Sequence, residues 1–232
     1  MTCAASTVCV ARLRALLSCA LCLTCWSAPA VPGWGETEPP PVPRQTIPIL
    51  GVSGQDRSGV VLYVTVSLEK RQDEGGLVIR MMEAPGTFSS MAERAIEQGI
   101  ERTARALGLS SASWTVTVAH SYPGITIAGD SLGAMVGLSV AALAQGITVP
   151  ADLAMTGTVA QDGGIGSVGA LQAKVSAAGA AKLRRVLVPE QDVRRDRPPP
   201  SSSWPALVSV RTVQEAFQLL RKPSPESVTT TE

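Results

Sequence analysis

The period of the hydrophobic pattern changes several times along the chain, and each change marks an element. Thr46–Val52 and Val60–Leu68 are β-branched runs that alternate apolar and polar residues around a stretch rich in Gly, Asp and Ser. That pattern predicts two strands joined by a turn. Leu77–Met82 predicts a shorter strand. Over Thr87–Leu107 the period becomes helical: Met91, Ala95, Ile96, Ile100, Ala104 and Leu107 form one apolar stripe, Ser90 and Glu93 read as a capping box, and Gly108 as the stop. Trp114–Ala119 alternates again and predicts a strand. Met135–Gln145 is apolar on nearly every side and ends at Gly146, which predicts a buried helix. Leu153–Val159 and Ile165–Val168 follow as strands, Leu171–Ala181 as a helix, Arg185–Val188 and Leu207–Val210 as strands, and Val213–Leu220 as a last helix. Pro-rich Val31–Gln45 reads as an extended linker, Arg194–Ser203 as a basic, then Pro/Ser-rich loop, and Pro223–Glu232 as a disordered tail.

Composition narrows this picture. A length of 232 residues allows one domain with a sizeable core, and aromatics at 3% make that core aliphatic. A net charge of +1 offers no basic field for nucleic acid. Residues 1–30 read as a secretion signal: Arg12 and Arg14 precede the apolar run Ala15–Cys25, and Ala28-Pro29-Ala30 presents small residues for cleavage. The apolar run falls short of the ~20 residues that span a bilayer, so an uncleaved membrane anchor is the weaker reading. Leu16-Leu17-Ser18-Cys19 is a faint lipoprotein box, placed too early in the run. The expected location is therefore secreted or periplasmic, with membrane contact only through an uncleaved N-terminal segment. All five cysteines lie in this segment, which leaves no thiol for a nucleophile or a thiolate metal site downstream.

Two stretches carry candidate chemistry. In Gly129-Asp130-Ser131-Leu132-Gly133 a serine sits where a turn becomes a helix. Unpaired N–H groups at a helix start can receive an oxyanion. Asp130 or Ser131 would equally serve as an ordinary N-cap. In the second stretch, Lys174 has Ala170, Leu171, Ala177 and Ala178 on its own helix face, so it lies on an apolar stripe. Desolvation lowers a lysine's pKa and lets it act as a general base. Together they supply the parts of a Ser–Lys nucleophile. Lys182, Arg184 and Arg185 beyond that helix read as solvated charges. The rival base is His120, the only histidine, whose place at a strand end reads more readily as structural.

Gly129–Asp192 resembles the proteolytic domain of the Lon proteases. The box Gly129-Asp130-Ser131 is similar to the nucleophile box of the membrane-anchored archaeal branch. Asp152-Leu153-Ala154-Met155-Thr156-Gly157 is similar to the family's Asp-x-Ala-Met-Thr-Gly run. Gly166–Leu171 is similar to its glycine-rich approach to the lysine, and Val186–Pro189 with Asp192 to its Val-x-Pro-x-x-Asn run. Lys174 follows Ser131 by the spacing of the family's dyad.

The resemblance implies an α/β (α+β) fold, with the mixed sheet and packed helices of domain 2 of ribosomal protein S5, over residues 46–222. It implies a serine endopeptidase with Ser131 as nucleophile and Lys174 as base, no cofactor and no metal, polypeptide substrates, and a homo-oligomeric ring hexamer. Thr156 would orient the lysine amine, or serve only the strand. Asp130 would cap the helix, the favoured reading, or tune the lysine. Many bacterial members carry an acid three residues before the serine, where this chain has Ala128. Lon proteases usually add an ATP-driven unfoldase, but no glycine-rich run with Lys-Ser/Thr occurs here. The expectation is a protease domain that works without ATP on unfolded or flexible chains. The alternative is a non-catalytic domain of the same fold, used for binding or assembly.

Overall fold

The computed structural model describes residues 41–82, 84–195 and 204–221. The expected secretion signal, the expected C-terminal tail and most of the expected linker and basic loop lie outside the described residues.

The alternating runs form strands β1 (Arg44–Val52) and β2 (Gly59–Lys70), an antiparallel pair in continuous register from Arg44↔Ser67 to Val52↔Gly59. Strand β1 takes in Arg44 and Gln45, the last two residues of the expected linker. Strand β3 (Val78–Met81) follows, then β4 (Thr87–Phe88), helix α1 (Ser90–Ala106), β5 (Trp114–Ala119), β6 (Thr126–Ile127) and helix α2 (Gly133–Ala144). The chain continues through β7 (Leu153–Met155), β8 (Thr158–Val159), β9 (Ile165–Gly166) and helix α3 (Leu171–Ala180). It closes with β10 (Arg185–Pro189), α4 (Glu190–Arg195), β11 (Ala206–Val210) and α5 (Val213–Arg221).

Seven strands make one sheet in the order β11-β10-β7-β1-β2-β5-β3. Its pairs are parallel except for β1–β2 and β2–β5. Successive side chains on a strand point to opposite faces. On β10, Leu187 accordingly enters the larger core beneath α1, α2 and α5, while Val186 and Val188 enter the smaller core beneath α3. Both faces are covered, as a largely parallel sheet requires.

Helix α2 is buried from Gly133 to Ala142, in accord with its all-round apolar sequence. It packs on α1 at backbone distance. A Cβ on Gly99 would collide with the carbonyl of Gly133, and one on Gly137 with the carbonyl of Gly99. Gln45 ties β1 to this helix: its Nε2 donates to Ser139 O at 2.8 Å and its Oε1 accepts from Val149 N at 3.0 Å.

Several local expectations are corrected. The cap of α1 is Ser89, whose Oγ accepts from Ala92 N at 3.3 Å; Ser90 and Glu93 both lie inside the first turn and form no capping box. The residues before Ser89 leave the predicted helix because β4 pairs with β6. Met91 is 54% exposed and Ala92 takes the buried place on the stripe. The run Leu153–Val159 is not one strand but two, broken at Thr156-Gly157. Arg194 and Arg195 end α4, an unanticipated helix, rather than opening a loop. Arg185 is buried, not solvated, because it lies on a central strand between β7 and β11.

Candidate active site

The break in the Leu153–Val159 run has a structural cause. Gly157 N donates to Ser131 O at 2.8 Å, and Ala134 N donates to Gly157 O at 3.1 Å. These two bonds fasten the serine turn to the end of β7. Gly129, at φ +96, supplies the backbone conformation that starts the turn. Thr156, fully buried, is fixed by its own N–H to Leu187 O at 3.1 Å.

Lys174 comes to this point from α3, on the opposite face of the sheet. It is 4% exposed. Its Nζ lies 2.7 Å from Ser131 Oγ and 3.1 Å from Thr156 Oγ1, donating to both. The three side chains named from the sequence thus meet around one nitrogen. Burial pushes the Lys174 amine down from 10.5 to about 8, against the opposing pull of Asp130 and Asp192. The sequence reading left Asp192 without a role. Its buried carboxylate accepts from Val168 N at 2.7 Å, at the approach to α3, and from Arg195 at 3.0 Å. An acid three residues before an arginine just past a strand was the available signal.

Asp130 does not cap the helix. The cap position of α2 belongs to Leu132, without any side-chain cap. The turn closes instead through Gly133 N to Asp130 O at 3.1 Å, and the exposed Asp130 side chain borders a separate hollow with Arg94 and Arg102. The expected oxyanion donors also move. The N–H groups of Gly133 and Ala134 are committed to Asp130 O and Gly157 O, whereas those of Ser131 and Leu132 make no hydrogen bond among the described residues.

Ser131 and Lys174 line a cleft of about 690 Å³ between the β1–β2 hairpin and the Gly124–Gly129 stretch. Its walls are largely apolar, with Leu50, Val60, Leu62, Ile127 and Leu132 among them. Among the described residues, Arg57 and Lys174 are its only ionisable lining residues. His120 does not line it. That ring is 3% exposed, its Nε2 is 2.9 Å from Thr87 O, and it packs edge-on to Phe88 and against Tyr122, which makes it a structural residue. Among the described residues no group of three or more His, Cys, Asp or Glu side chains is placed to hold a metal ion. No described helix is long and apolar enough to cross a membrane.

Known proteins match this region. An archaeal Lon protease of Methanothermobacter thermautotrophicus is 26% identical over 141 residues, which cover 60% of this chain and 21% of that protein. The aligned part therefore spans about a fifth of the relative's length. Residues 102–219 match the C-terminal proteolytic domain of Lon protease (S16), a stretch running from within α1 into α5 and holding Ser131, Thr156 and Lys174. The chain belongs to the family of the Lon protease (S16) C-terminal proteolytic domain.

Proposed function

We propose that this protein is an ATP-independent endopeptidase that cleaves unfolded or flexible polypeptides through Ser131 and Lys174. The observation that carries the reading is the 2.7 Å contact between the hydroxyl and an amine that burial holds near pKa 8. At such a value a useful fraction of Lys174 is neutral at slightly alkaline pH. The neutral amine takes the hydroxyl proton as Oγ attacks the substrate carbonyl. The N–H groups of Ser131 and Leu132 stabilise the oxyanion, and the amine returns the proton to the leaving amino group. Water, activated by the same lysine, then hydrolyses the acyl-enzyme. Thr156 Oγ1 holds the amine in line with the serine.

The apolar cleft beside Ser131 offers a surface for the side chains of an extended polypeptide. The 232 residues contain no nucleotide-binding run that would couple unfolding to ATP. On this reading residues 1–30 direct export and are removed, and residues 46–222 adopt the S5-domain-2-like fold and assemble as the ring hexamer that family membership suggests. The test is hydrolysis of reduced, alkylated casein without nucleotide. The protein is expected to cleave it, to gain nothing from ATP, and to spare a tightly folded protein; Ser131→Ala and Lys174→Ala are expected to fall to background while remaining folded. Cleavage that persists in either variant overturns the dyad. A folded wild-type protein that never cleaves and never takes a serine-reactive fluorophosphonate favours the non-catalytic alternative.

A further inference from the structure

Asp192 is the one buried carboxylate among the described residues, and the mechanism above gives it nothing to do. Taking a carboxylate out of water is costly unless it is fully engaged. Asp192 is fully engaged: Oδ2 accepts from Val168 N at 2.7 Å and Oδ1 from Arg195 at 3.0 Å. Arg195 also reaches Val168 O at 3.4 Å. Both polar groups of the Val168 peptide are thus held by α4, three residues ahead of Leu171, where the lysine helix begins.

That approach needs holding. Helix α3 has no side-chain cap, and the residue at its start, Ala170, sits at φ +54, a left-handed conformation that a residue bearing a Cβ resists. The two contacts from α4 hold the segment that leads into that strained residue.

We propose that Asp192 is a positioning residue for the lysine: its carboxylate anchors the approach to α3 so that Lys174 meets Ser131. The inference rests on the dyad reading above. The charged groups around Lys174 are Asp130 from the serine turn, Asp192 and its partner Arg195 from α4, and Arg57 from the hairpin across the cleft. Ser131 and Thr156 contact the amine as neutral hydroxyls. Both acids oppose the effect of burial on the amine, the exposed Asp130 more than the buried Asp192.

Two variants separate anchor from charge. In Asp192→Asn the amide oxygen can still accept from Val168 N, while the charge and the bond from Arg195 are gone, because the second carboxylate oxygen becomes an NH2 donor. In Asp192→Ala the anchor is gone as well. The experiment measures kcat and KM for a fluorogenic casein-derived peptide across neutral to alkaline pH, with melting temperature as the check on folding. Asp192→Asn is expected to keep its plateau rate within a few-fold and to move the rising limb of the pH profile to lower pH by about half a unit. Asp192→Ala is expected to lose about 10²-fold in kcat with little change in KM, because the lysine is misplaced rather than the substrate lost. A plateau that survives in Asp192→Ala, or one that falls as far in Asp192→Asn as in Asp192→Ala, overturns the inference while leaving the dyad intact. A wild-type protein without a Lys174-dependent limb overturns the dyad, and this inference with it.

Discussion

At the scale of single residues, Lys174 carries the functional weight, and its burial can be read in stability as well as in rate. Its pKa is depressed in the fold, from 10.5 to about 8, because burial disfavours the charged form. A basic group shifted in this direction costs the folded state its full penalty below the folded value. The penalty fades between pH 8 and 10.5 and is absent above the unfolded value. At neutral pH it amounts to about 3 kcal/mol. Lys174→Met keeps the length of the side chain and removes the charge. Its melting temperature is expected to exceed that of the wild type at pH 7, with the gap closing as the pH passes 10. Parallel melting curves at every pH would mean that the lysine is solvated in the fold. The lysine's setting was legible from Ala170, Leu171, Ala177 and Ala178 alone, since a helix face is fixed by sequence spacing. Burial of Asp192 was not, because it depends on a contact across 24 residues of chain.

At the scale of elements, each half of the pair is set by a glycine that lets two backbones touch. Gly99 of α1 admits the carbonyl of Gly133 at the start of α2, just past Ser131. Gly59 at the start of β2 admits the carbonyl of Ala173 on α3, next to Lys174, and a Cβ there would also lie 2.9 Å from the Ala177 methyl. Gly59→Ala is therefore expected to push α3 off the hairpin. It should lower stability by about 1–3 kcal/mol, as overpacking does, and lower the hydrolysis rate more than the stability loss explains. Thermal melts beside kcat would check this; a variant with wild-type kcat would show that α3 is placed from elsewhere. The elements themselves were mostly evident from the pattern, because α1, α2 and α3 each exceed two helical turns and β5 and the second half of β2 alternate apolar and polar residues. The failures fall on two-residue strands and on the six-residue α4. Such elements are fixed by their tertiary partners and are too short to show a period. Ser89 beside Ser90 was misassigned for the same reason: which serine caps α1 is decided by where β4 ends.

At the scale of the whole molecule, α2 and α3 lie on opposite faces of the sheet, and their side chains can meet only where a strand stops. Strand β7 is that strand. It ends at Met155, while its neighbour β1 runs on from Ile49 to Val52, and the opening left between them becomes the cleft. Thr156, the first residue past β7, reaches the Lys174 amine beside Ser131 for this reason. The order of strands was beyond the reach of the hydrophobic pattern, which gives period but not partners; the cleft was beyond it as well. What the chain did declare was the pairing of a serine on a tight turn with a lysine on an apolar helix face. That pairing is tested most directly by mapping the site of fluorophosphonate attachment by mass spectrometry as a function of pH, in the wild type, Lys174→Ala and His120→Ala. The label is expected on Ser131 alone, rising along a limb near pH 8, absent in Lys174→Ala and unchanged in His120→Ala. A label on Ser131 that survives without Lys174, or a limb near ~6.5 that disappears with His120, would contradict the account.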